Sequence, residues 1–390
     1  MFAHEGTKNF IFTKYVVFLC EIFPVYAHEL IIFYMKIENH KIRIKDIAIM
    51  AGVSEGTVDR VLHNRGEVSE KSRMAVEKVL DEINYSPNLL ARSLASKKHF
   101  RFAYLIPEHQ PKDYWESVDK GFGVAAHDFL QQNIHLEKHH FNQYDVNSFI
   151  NASKEILQSQ PDAVIIAPIF KEETLKLTQE LNQMQVQFSF IDSMVEEAEF
   201  LTYYGQNSFQ SGYIAAKLLV LTLSEKGKIL IIRTKRKGAV SNQTIARRNG
   251  FIHFLNEKNI SGIELKDVEL SDDNESENFE IMGIILSENP DVKAAITFNS
   301  KVSRLADYFE KMNRRDIRLI GYDLLEENVK WLKKDMVAYL LGQRPDKQAY
   351  FTVRDMCTKL ILKQDVKQIN YIPIDILIKE NIEDYLQLGE

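Results

Sequence analysis

The stretch IKDIAIMAGVSEGTVDRVL, from Ile44 to Leu62, decides the fold of the first part of the chain. Its apolar residues recur at helical spacing up to Gly52, which readily takes the left-handed conformation that ends a helix. Ser54 then offers a side-chain oxygen that caps a second helix, in which Val58 faces inward. Two helices joined by a glycine-containing turn form a helix-turn-helix, so the stretch predicts a DNA-binding module.

A third helix is predicted behind the first two, with Ser69 as its cap and an apolar inner stripe. The stripe consists of Val76, Val79, Leu80 and Ile83. Residues 41–98 contain 11 Lys and Arg against 8 Asp and Glu, whereas residues 99–390 contain 35 against 43. The chain has 390 residues and a net charge of -6, so this uneven distribution places the expected DNA contacts in the basic head alone.

This head resembles that of the LacI/GalR family of bacterial regulators. The likeness runs through AGVSxxTVxRV from Ala51 to Val61, through Val68-Ser69, and through NYxPNxxARxL from Asn84 to Leu94. The resemblance implies a helix-turn-helix domain over residues 41–86. It also implies a hinge helix over residues 87–98, which folds when a dimer sits on its operator DNA.

The hinge helix carries the second set of expected DNA contacts. In the family, a leucine from each subunit wedges into the minor groove, unstacks a base step and kinks the duplex. By position, the resemblance makes Leu94 this wedge and Ala91 the small residue that lets the paired helices approach closely. Asn88, in the Pro-Asn pair that opens the segment, joins these predicted contacts.

The second helix is expected to lie in the major groove with its N-terminal residues near base edges. The DNA-contacting residues predicted there are Ser54, Glu55, Gly56, Thr57 and Arg60. Glu55 and Gly56 occupy the family's main base-reading positions, but Gly56 has no side chain and Glu55 accepts only from cytosine N4. Either the operator is distinct, or more specificity lies in Arg60, Ser54, Thr57 and the hinge. The Thr57 hydroxyl suits a backbone bond as well as a phosphate contact.

From residue 99 onward, apolar strand-like runs alternate with amphipathic helical stretches. Runs such as Phe102–Pro107, Ala163–Ala167 and Tyr371–Ile376 are read as continuous rather than alternating, which is typical of parallel strands buried on both faces. The region is too long for one core, so two doubly wound lobes are predicted. The predicted fold is a small all-α helix-turn-helix domain plus an α/β two-lobed domain similar to periplasmic sugar-binding proteins.

We predict that residues 99–390 form an effector-binding domain. Lobe 1 is expected to comprise about 101–204 and 345–368, and lobe 2 about 205–343 and 370–390. Ligands of such sheets sit beyond the carboxyl ends of the strands, which places the effector in the cleft between the lobes.

Polar and aromatic residues of this domain favour a sugar or sugar derivative as effector. The polar candidates are Arg247, Asn299, Asp323 and Gln343, and the aromatic candidates are Trp115 and Phe170. Polyols are held by carboxylate, amide and guanidinium groups and by aromatic faces stacked on the ring. Gln343 also suits a helix cap, and Trp115 a core position. If the basic run 235–237 points into the cleft, an acidic sugar or sugar phosphate becomes the alternative.

No motif of an enzyme, cofactor site or metal site is expected to function in this chain. Gly121–Ala126 matches a dinucleotide fingerprint but lies in a predicted helix without a strand before it. His135, His139 and His140 have no neighbouring Cys or carboxylate cluster in the sequence. The expectation is therefore a regulator rather than an enzyme, with no cofactor and no bound metal.

The first 40 residues contain apolar runs, but none reaches the roughly 18 residues of a membrane span. We expect that translation starts at Met35 or that residues 1–40 form a disordered tail. The two cysteines fit a reducing cytoplasm. The favoured hypothesis is a cytoplasmic, homodimeric repressor that binds palindromic operator DNA. The alternative is an extracytoplasmic sugar-binding protein of a transport system, which the apolar N-terminus and the second domain alone would suit.

Overall fold

The computed structural model describes residues 44–62, 66–82, 99–129, 133–223, 227–235, 242–271 and 274–387. The chain divides into two compact units, the first ending at Leu89 and the second beginning at Leu90. The predicted N-terminal tail and the predicted hinge residues Asn88, Ala91 and Leu94 lie outside the described residues. Within the described ranges, no helix is both long and apolar enough to cross a membrane.

The described part of the first unit is helical, as predicted. Its helices are α1 (Ile44–Ala51), α2 (Glu55–Leu62) and α3 (Glu70–Glu82). Their apolar stripes meet in one small core formed by Ile47, Ala48, Val58, Val61, Val76 and Val79. The buried residues of α2 and of α3 are three positions apart, and in α1 the partly buried Ile44 and Ala51 extend the stripe on either side of Ile47 and Ala48. A single face of each helix is therefore buried and the opposite face stays in water.

The turn between α1 and α2 depends on Gly52. Its φ of 64° is the left-handed conformation that the sequence predicts for the end of α1. The N–H of Val53 donates to the carbonyl of Ala48 at 3.0 Å, and the N–H of Gly52 donates to that of Ile49 at 3.3 Å. These two bonds form a Schellman motif, which directs the chain from α1 into α2 and packs Val53 against the core.

The second unit is built from alternating strands and helices. The strands are β1 (Phe100–Pro107), β2 (Ile134–Phe141), β3 (Ala163–Ile166), β4 (Gln187–Asp192), β5 (Tyr203–Gln206), β6 (Gly227–Lys235), β7 (Ile263–Ser271), β8 (Val292–Thr297), β9 (Arg318–Tyr322), β10 (Val337–Gly342), β11 (Ile369–Ile372) and β12 (Asp375–Leu377). The helices are α4 (Tyr114–Phe129), α5 (Val146–Ser159), α6 (Lys171–Gln183), α7 (Ser208–Thr222), α8 (Asn242–Glu257), α9 (Glu275–Glu288), α10 (Val302–Lys311), α11 (Glu326–Lys333), α12 (Pro345–Leu360) and α13 (Ile382–Gln387).

The strands form two six-stranded sheets with equivalent strand orders. The first sheet runs β11-β5-β4-β3-β1-β2 and the second runs β12-β10-β9-β8-β6-β7. Neighbouring strands are parallel except for β10 and β12. The two-lobed α/β fold predicted from the sequence is therefore confirmed, and β4 in lobe 1 occupies the position that β9 occupies in lobe 2.

Helices cover both faces of each sheet where the core is described. Along β6, Leu230 and Ile232 join one apolar cluster, whereas Ile229 and Ile231 join another on the opposite face. Successive side chains of a strand point to opposite faces, so a strand buried on both sides must be apolar throughout. This is the physical reason that a central strand such as β3 appears in the sequence as an unbroken apolar run. The edge strands β2 and β7 are only partly buried and carry several charged residues, so the predicted continuity does not hold for them.

The structure corrects two predicted lobe boundaries. β11 pairs with β5 in parallel, so residues 205–206 and 370–372 belong to lobe 1 instead of lobe 2. The predicted strand Tyr371–Ile376 is two strands in two different sheets. Pro373 lies between them, and a proline has no N–H to donate to a sheet, so the strand stops there and the chain crosses to lobe 2. The other crossings lie at residues 206–208 and 342–345.

Candidate functional sites

The N-terminus of α2 presents the predicted base-reading residues to solvent. Ser54, Glu55 and Gly56 are exposed, and Thr57 is half-buried. Ser54 caps the helix, since its Oγ accepts a hydrogen bond from the N–H of Thr57 at 3.1 Å. The Thr57 hydroxyl lies 2.9 Å from the same Ser54 oxygen, so in the DNA-free protein it stabilises the first turn.

Arg60 lies next to the position that Gly56 leaves without a side chain. Its Nε donates to the Gly56 carbonyl at 3.1 Å. A Cβ placed on Gly56 would meet Arg60 Nη2 at 3.8 Å, so the guanidinium occupies the space beside this predicted base-reading position. Arg60 is exposed and carries further N–H donors, which suits bidentate contact with guanine or with phosphate. A contact between Arg60 and DNA stays a prediction.

Two buried aspartates lie at equivalent strand ends in the two lobes. Asp192 is the last residue of β4, and Asp323 directly follows β9. Both are 6% exposed, and their φ angles of 68° and 69° are nearly identical. Parallel sheets collect their ligands at these carboxyl ends. The equivalence of β4 and β9 therefore places one carboxylate from each lobe at the cleft.

Arg247 and Gln343 hold the lobe 2 side of this site together. Arg247 is 2% exposed and donates from Nη2 to Gln343 Oε1 at 2.8 Å and from Nη1 to the Phe298 carbonyl at 3.0 Å. Gln343 Nε2 donates in turn to Asp323 Oδ1 at 2.6 Å. The guanidinium also lies 4.1 Å from the centre of the Tyr322 ring. Gln343 is thus a positioning residue, not the helix cap that the sequence also allowed.

Burial makes the charges of this site costly. Desolvation raises the pKa of Asp323 to about 6, partly opposed by Arg247 and by the bond from Gln343. Desolvation also raises the pKa of Asp192, against the opposing effects of Tyr114 and Arg247. Tyr114 donates its hydroxyl to Asp192 Oδ1 at 2.7 Å. Arg247 Nε is buried without a hydrogen-bond partner, which is expensive unless a ligand supplies an acceptor.

A close contact between α7 and α8 places Arg247 in the cleft. A Cβ on Gly212 would lie 1.8 Å from the Arg247 carbonyl, and a Cβ on Gly250 would lie 1.9 Å from the Phe209 carbonyl. Only glycine at both positions lets the two backbones pack directly against each other. This explains why positions 212 and 250 are both glycine.

Among the described residues, a buried hydrogen bond and an exposed ion pair join the lobes across the cleft. Gln243 of α8 donates from Nε2 to the Asp192 carbonyl at 2.6 Å, a buried bond. Lys112 Nζ lies 2.6 Å from Glu326 Oε2, and both side chains are exposed. The buried bond lies at the candidate site and the ion pair lies at the surface. The cleft is therefore closed both in its interior and at its opening.

The two aromatic residues predicted to contact the effector are buried side chains of lobe 1. Trp115 is 8% exposed and packs edge-to-face on Tyr114, with ring centres 5.2 Å apart. Phe170 lies in the lobe 1 core against Phe141 and Phe149. Trp115 therefore adjoins the aspartate site through Tyr114, whereas Phe170 is mainly a core residue.

Asn299 uses its amide within its own lobe. Its Oδ1 accepts from the Thr297 hydroxyl at 2.8 Å and from the Lys301 N–H at 2.9 Å. Its Nδ2 donates to the Thr234 hydroxyl at 3.1 Å. These bonds shape the loop after β8, so a contact between Asn299 and an effector stays a prediction.

Sequence reasoning missed Asp192, Tyr114 and Gln243. Asp192 follows a predicted strand, the same criterion that identified Asp323, so it was detectable. Tyr114 was detectable only through its neighbour Trp115. Gln243 carries no signal of its own, because its role depends on a contact with a main-chain carbonyl of the other lobe.

Comparison with known proteins matches both parts of the chain to known families. Residues 43–88 match the family of bacterial regulatory proteins called lacI, and residues 102–364 match the periplasmic binding protein domain. The crystal structure of a LacI transcriptional regulator from Bacteroides fragilis is 37% identical, with a TM-score of 0.70, and the match covers 74% of this chain and 100% of that one.

Curated relatives extend the likeness to characterised regulators. The HTH-type transcriptional regulator MalR of Streptococcus pneumoniae is 25% identical over 72% of this chain and 83% of its own length. The ribose operon repressor of Lactococcus lactis is 24% identical over 72% of this chain and 80% of its own length. The chain therefore belongs to the lacI family of bacterial regulatory proteins and is a DNA-binding regulator of transcription.

Proposed function

We propose that this regulator is a cytoplasmic homodimer that represses transcription from a roughly palindromic operator and responds to a neutral, carbohydrate-like effector. The observation that carries the effector class is the pair of buried carboxylates, Asp192 and Asp323, around Arg247. Each carboxylate accepts hydrogen bonds from sugar hydroxyls, and Arg247 Nε supplies a donor. The relatives support this choice, since one is named a ribose operon repressor.

The charge of the site favours a neutral ligand over an anionic one. Two carboxylates and one guanidinium give a net negative charge when all three are ionised. An acidic sugar or a sugar phosphate would meet repulsion in a buried site, where charges are poorly screened. Of the basic run that suggested such a ligand, residues 236–237 lie outside the described residues.

The recognition helix α2 supports the proposed dimer and its palindromic operator. One α2 helix reads only one half-site, and a two-fold dimer presents two of them to two related half-sites. Effector binding in the cleft and DNA binding then share a coupling free energy, typically about 1–3 kcal/mol.

The competing functions account for fewer observations. A transport protein has no use for α1 to α3 or for the match to lacI regulators over residues 43–88. The relatives named above are regulators, so the cleft is proposed to bind its ligand without transforming it. DNA binding supports the proposed cytoplasmic location.

Two measurements, made one after the other, test the proposal. Selection from random duplexes with the full chain should yield a palindrome, and a thermal-shift screen of neutral sugars and their phosphates should identify ligands that raise the melting point. A neutral sugar that also changes operator affinity is the expected result. If no duplex is preferred over random sequence, with or without these compounds, the proposal is wrong.

Asp323→Ala separates the two sites. It should abolish the response to the effector and leave effector-independent DNA binding intact, as measured by a gel-shift titration. Asp365→Ala is the matched control, since the Asp365 side chain is 96% exposed. An unchanged response in Asp323→Ala would exclude this residue from the site.

A further inference from the structure

A cluster of two histidines and one aspartate lies in lobe 1. His109 follows β1, Asp119 is on α4, and His140 is in β2. One ligand atom from each side chain lies within 4.8 Å of the others. The cluster lies outside the set of residues assigned to the effector site, and the sequence did not reveal it, because its members come from three separate elements.

Each of the two histidines has a ring nitrogen that makes no hydrogen bond among the described residues. Nε2 of His109 and Nε2 of His140 are both buried, and neither makes a hydrogen bond. His109 Nε2 lies 3.4 Å from Asp119 Oδ2, close enough for attraction but without hydrogen-bond geometry. The two imidazole rings meet edge-to-face with their centres 5.2 Å apart. Buried imidazole nitrogens without partners are unfavourable, and a metal ion would satisfy both at once.

We propose that His109, Asp119 and His140 form a binding site for one Zn²⁺ ion. Two imidazoles and one carboxylate are ligands that zinc prefers, and water completes a tetrahedral set. Tetrahedral zinc places its ligand atoms roughly 3.4 Å apart, so small side-chain rotations suffice to close the present cluster. Hard cations such as Mg²⁺ prefer oxygen ligands and fit this donor set less well.

The surroundings of Asp119 resemble the outer shell of a metal site. Tyr104 donates its hydroxyl to Asp119 Oδ1 at 2.7 Å, which orients the carboxylate and leaves Oδ2 facing His109. Lys138 forms an ion pair with Oδ2. The Lys138 side chain is 48% exposed, so it is able to swing into water when a metal takes its place. Lys138 is thus a competitor for the site.

The neighbouring His139 provides a matched control. It lies next to His140 in the same strand, so its side chain points to the opposite face of the sheet. There its Nδ1 lies 3.7 Å from Glu155 Oε2 of α5. A substitution of His139 therefore removes a histidine from the same strand but leaves the proposed ligands in place.

The test measures zinc binding by the full chain after removal of adventitious metal. A chromophoric chelator competes for Zn²⁺, and Co²⁺ serves as a probe whose visible absorption reports tetrahedral ligands. We expect wild type and His139→Ala to bind one more tight zinc than His140→Ala or His109→Ala. The affinity of this site should fall at least about 100-fold in the latter two. Equal zinc binding by wild type and a His109→Ala, His140→Ala double variant would overturn the proposal.

Lys138→Met is an independent test that leaves all three ligands in place. Removal of the competing ammonium should tighten zinc binding by about fivefold, the factor that corresponds to a surface ion pair. Circular dichroism of each variant verifies folding. If the histidine variants do not fold, the comparison of wild type with Lys138→Met decides, and an unchanged affinity would contradict the role of Asp119.

Discussion

Two aspartates in the cleft combine burial with a left-handed backbone. Among non-glycine residues, Asn and Asp tolerate this conformation best, because their short polar side chains interact with the local backbone. Substitution of Asp323 by Asn therefore keeps both the backbone geometry and the shape of the side chain. This makes Asp323→Asn a clean way to remove the ionisable proton without disturbing the site.

The raised pKa of Asp323 predicts that effector affinity depends on pH. Sugar hydroxyls donate to the ionised carboxylate, whereas a carboxyl with a pKa of about 6 is mostly protonated in the free protein at pH 5. Affinity should therefore be about tenfold weaker at pH 5 than at pH 7. Isothermal titration calorimetry at both pH values measures this with the sugar found in the screen.

Asp323→Asn should flatten this pH dependence, with any remaining slope attributable to Asp192, whose pKa is also raised. The same raised pKa makes Asp323 favour the folded state below pH 4 and progressively less as the pH rises through 6, because the folded form holds the proton more tightly. Identical affinities at pH 5 and pH 7 in wild type would show that the effector does not bind through this carboxylate.

Leu94→Ala tests the predicted hinge. A wedge that unstacks a base step acts only at the cognate site, so its loss should weaken operator binding far more than binding to random DNA. Titrations of both duplexes at a fixed salt concentration provide the comparison. Equal losses for the two duplexes would refute the wedge.

At the level of secondary structure, helix contacts decide where the cleft side chains point. The glycines Gly212 and Gly250 bring α7 and α8 into backbone contact, which fixes the helix that carries Arg247. If α8 were displaced by the width of one methyl group, the Arg247 guanidinium would move away from Gln343 and Phe298. The positions of catalytic or binding groups on helices are sensitive to such small shifts.

Gly250→Ala should therefore destabilise the protein, by roughly 1–3 kcal/mol, and weaken effector binding. The control is Gly283→Ala in α9, where a Cβ would lie no closer than 3.7 Å to Met312 Cε. That change should stabilise the protein by about 0.5–1 kcal/mol, because alanine is the better helix former. Urea unfolding of both variants gives the two free energies, and opposite signs are expected.

Apolar continuity in the sequence identifies most strands but misses β5 and β10. The criterion finds Ala163–Ile166 and Val292–Thr297, whose residues are buried on both faces. It does not find Tyr203–Gln206, which has four residues including a glycine, or Val337–Gly342, which closely follows a helix. Strands of this kind are stabilised by neighbours that are distant in the sequence, so no local pattern reveals them.

The same distinction applies to the functional residues. Arg247, Asp323 and Gln343 come from motifs or strand ends, and the sequence brings them to attention. His109, Asp119 and His140 meet only when β1, β2 and α4 pack together. The sequence therefore favoured the absence of a metal site, whereas the packed lobe assembles donors that no spacing rule predicts.

At the scale of the whole effector domain, the contacts that close the cleft differ in how much they contribute to the free energy of closure. The bond from Gln243 to Asp192 is buried and directional, and an unmade buried bond costs about 1–3 kcal/mol. The pair Lys112–Glu326 is exposed, and such pairs contribute little, especially in salt. The buried bond is therefore the contact that favours closure.

Gln243→Leu should weaken effector binding by about tenfold, since the open form becomes relatively more stable. Lys112→Ala is the control and should leave the affinity almost unchanged. Calorimetry gives the affinities, and small-angle X-ray scattering of residues 99–390 should show a larger radius of gyration for Gln243→Leu without ligand. A larger loss of affinity in Lys112→Ala would reverse this ranking.

The three passages of the chain between the lobes restrict how the cleft can move. The crossings are held side by side, because Gln206 Nε2 donates to the Gly342 carbonyl at 2.9 Å and Gly342 pairs with Asp375. Three parallel crossings bend together more easily than they twist or slide past one another. The lobes are therefore expected to open and close by rotation about one axis instead of rotating freely in all directions. Binding of the proposed sugar effector would then always produce the same rotation of one lobe relative to the other.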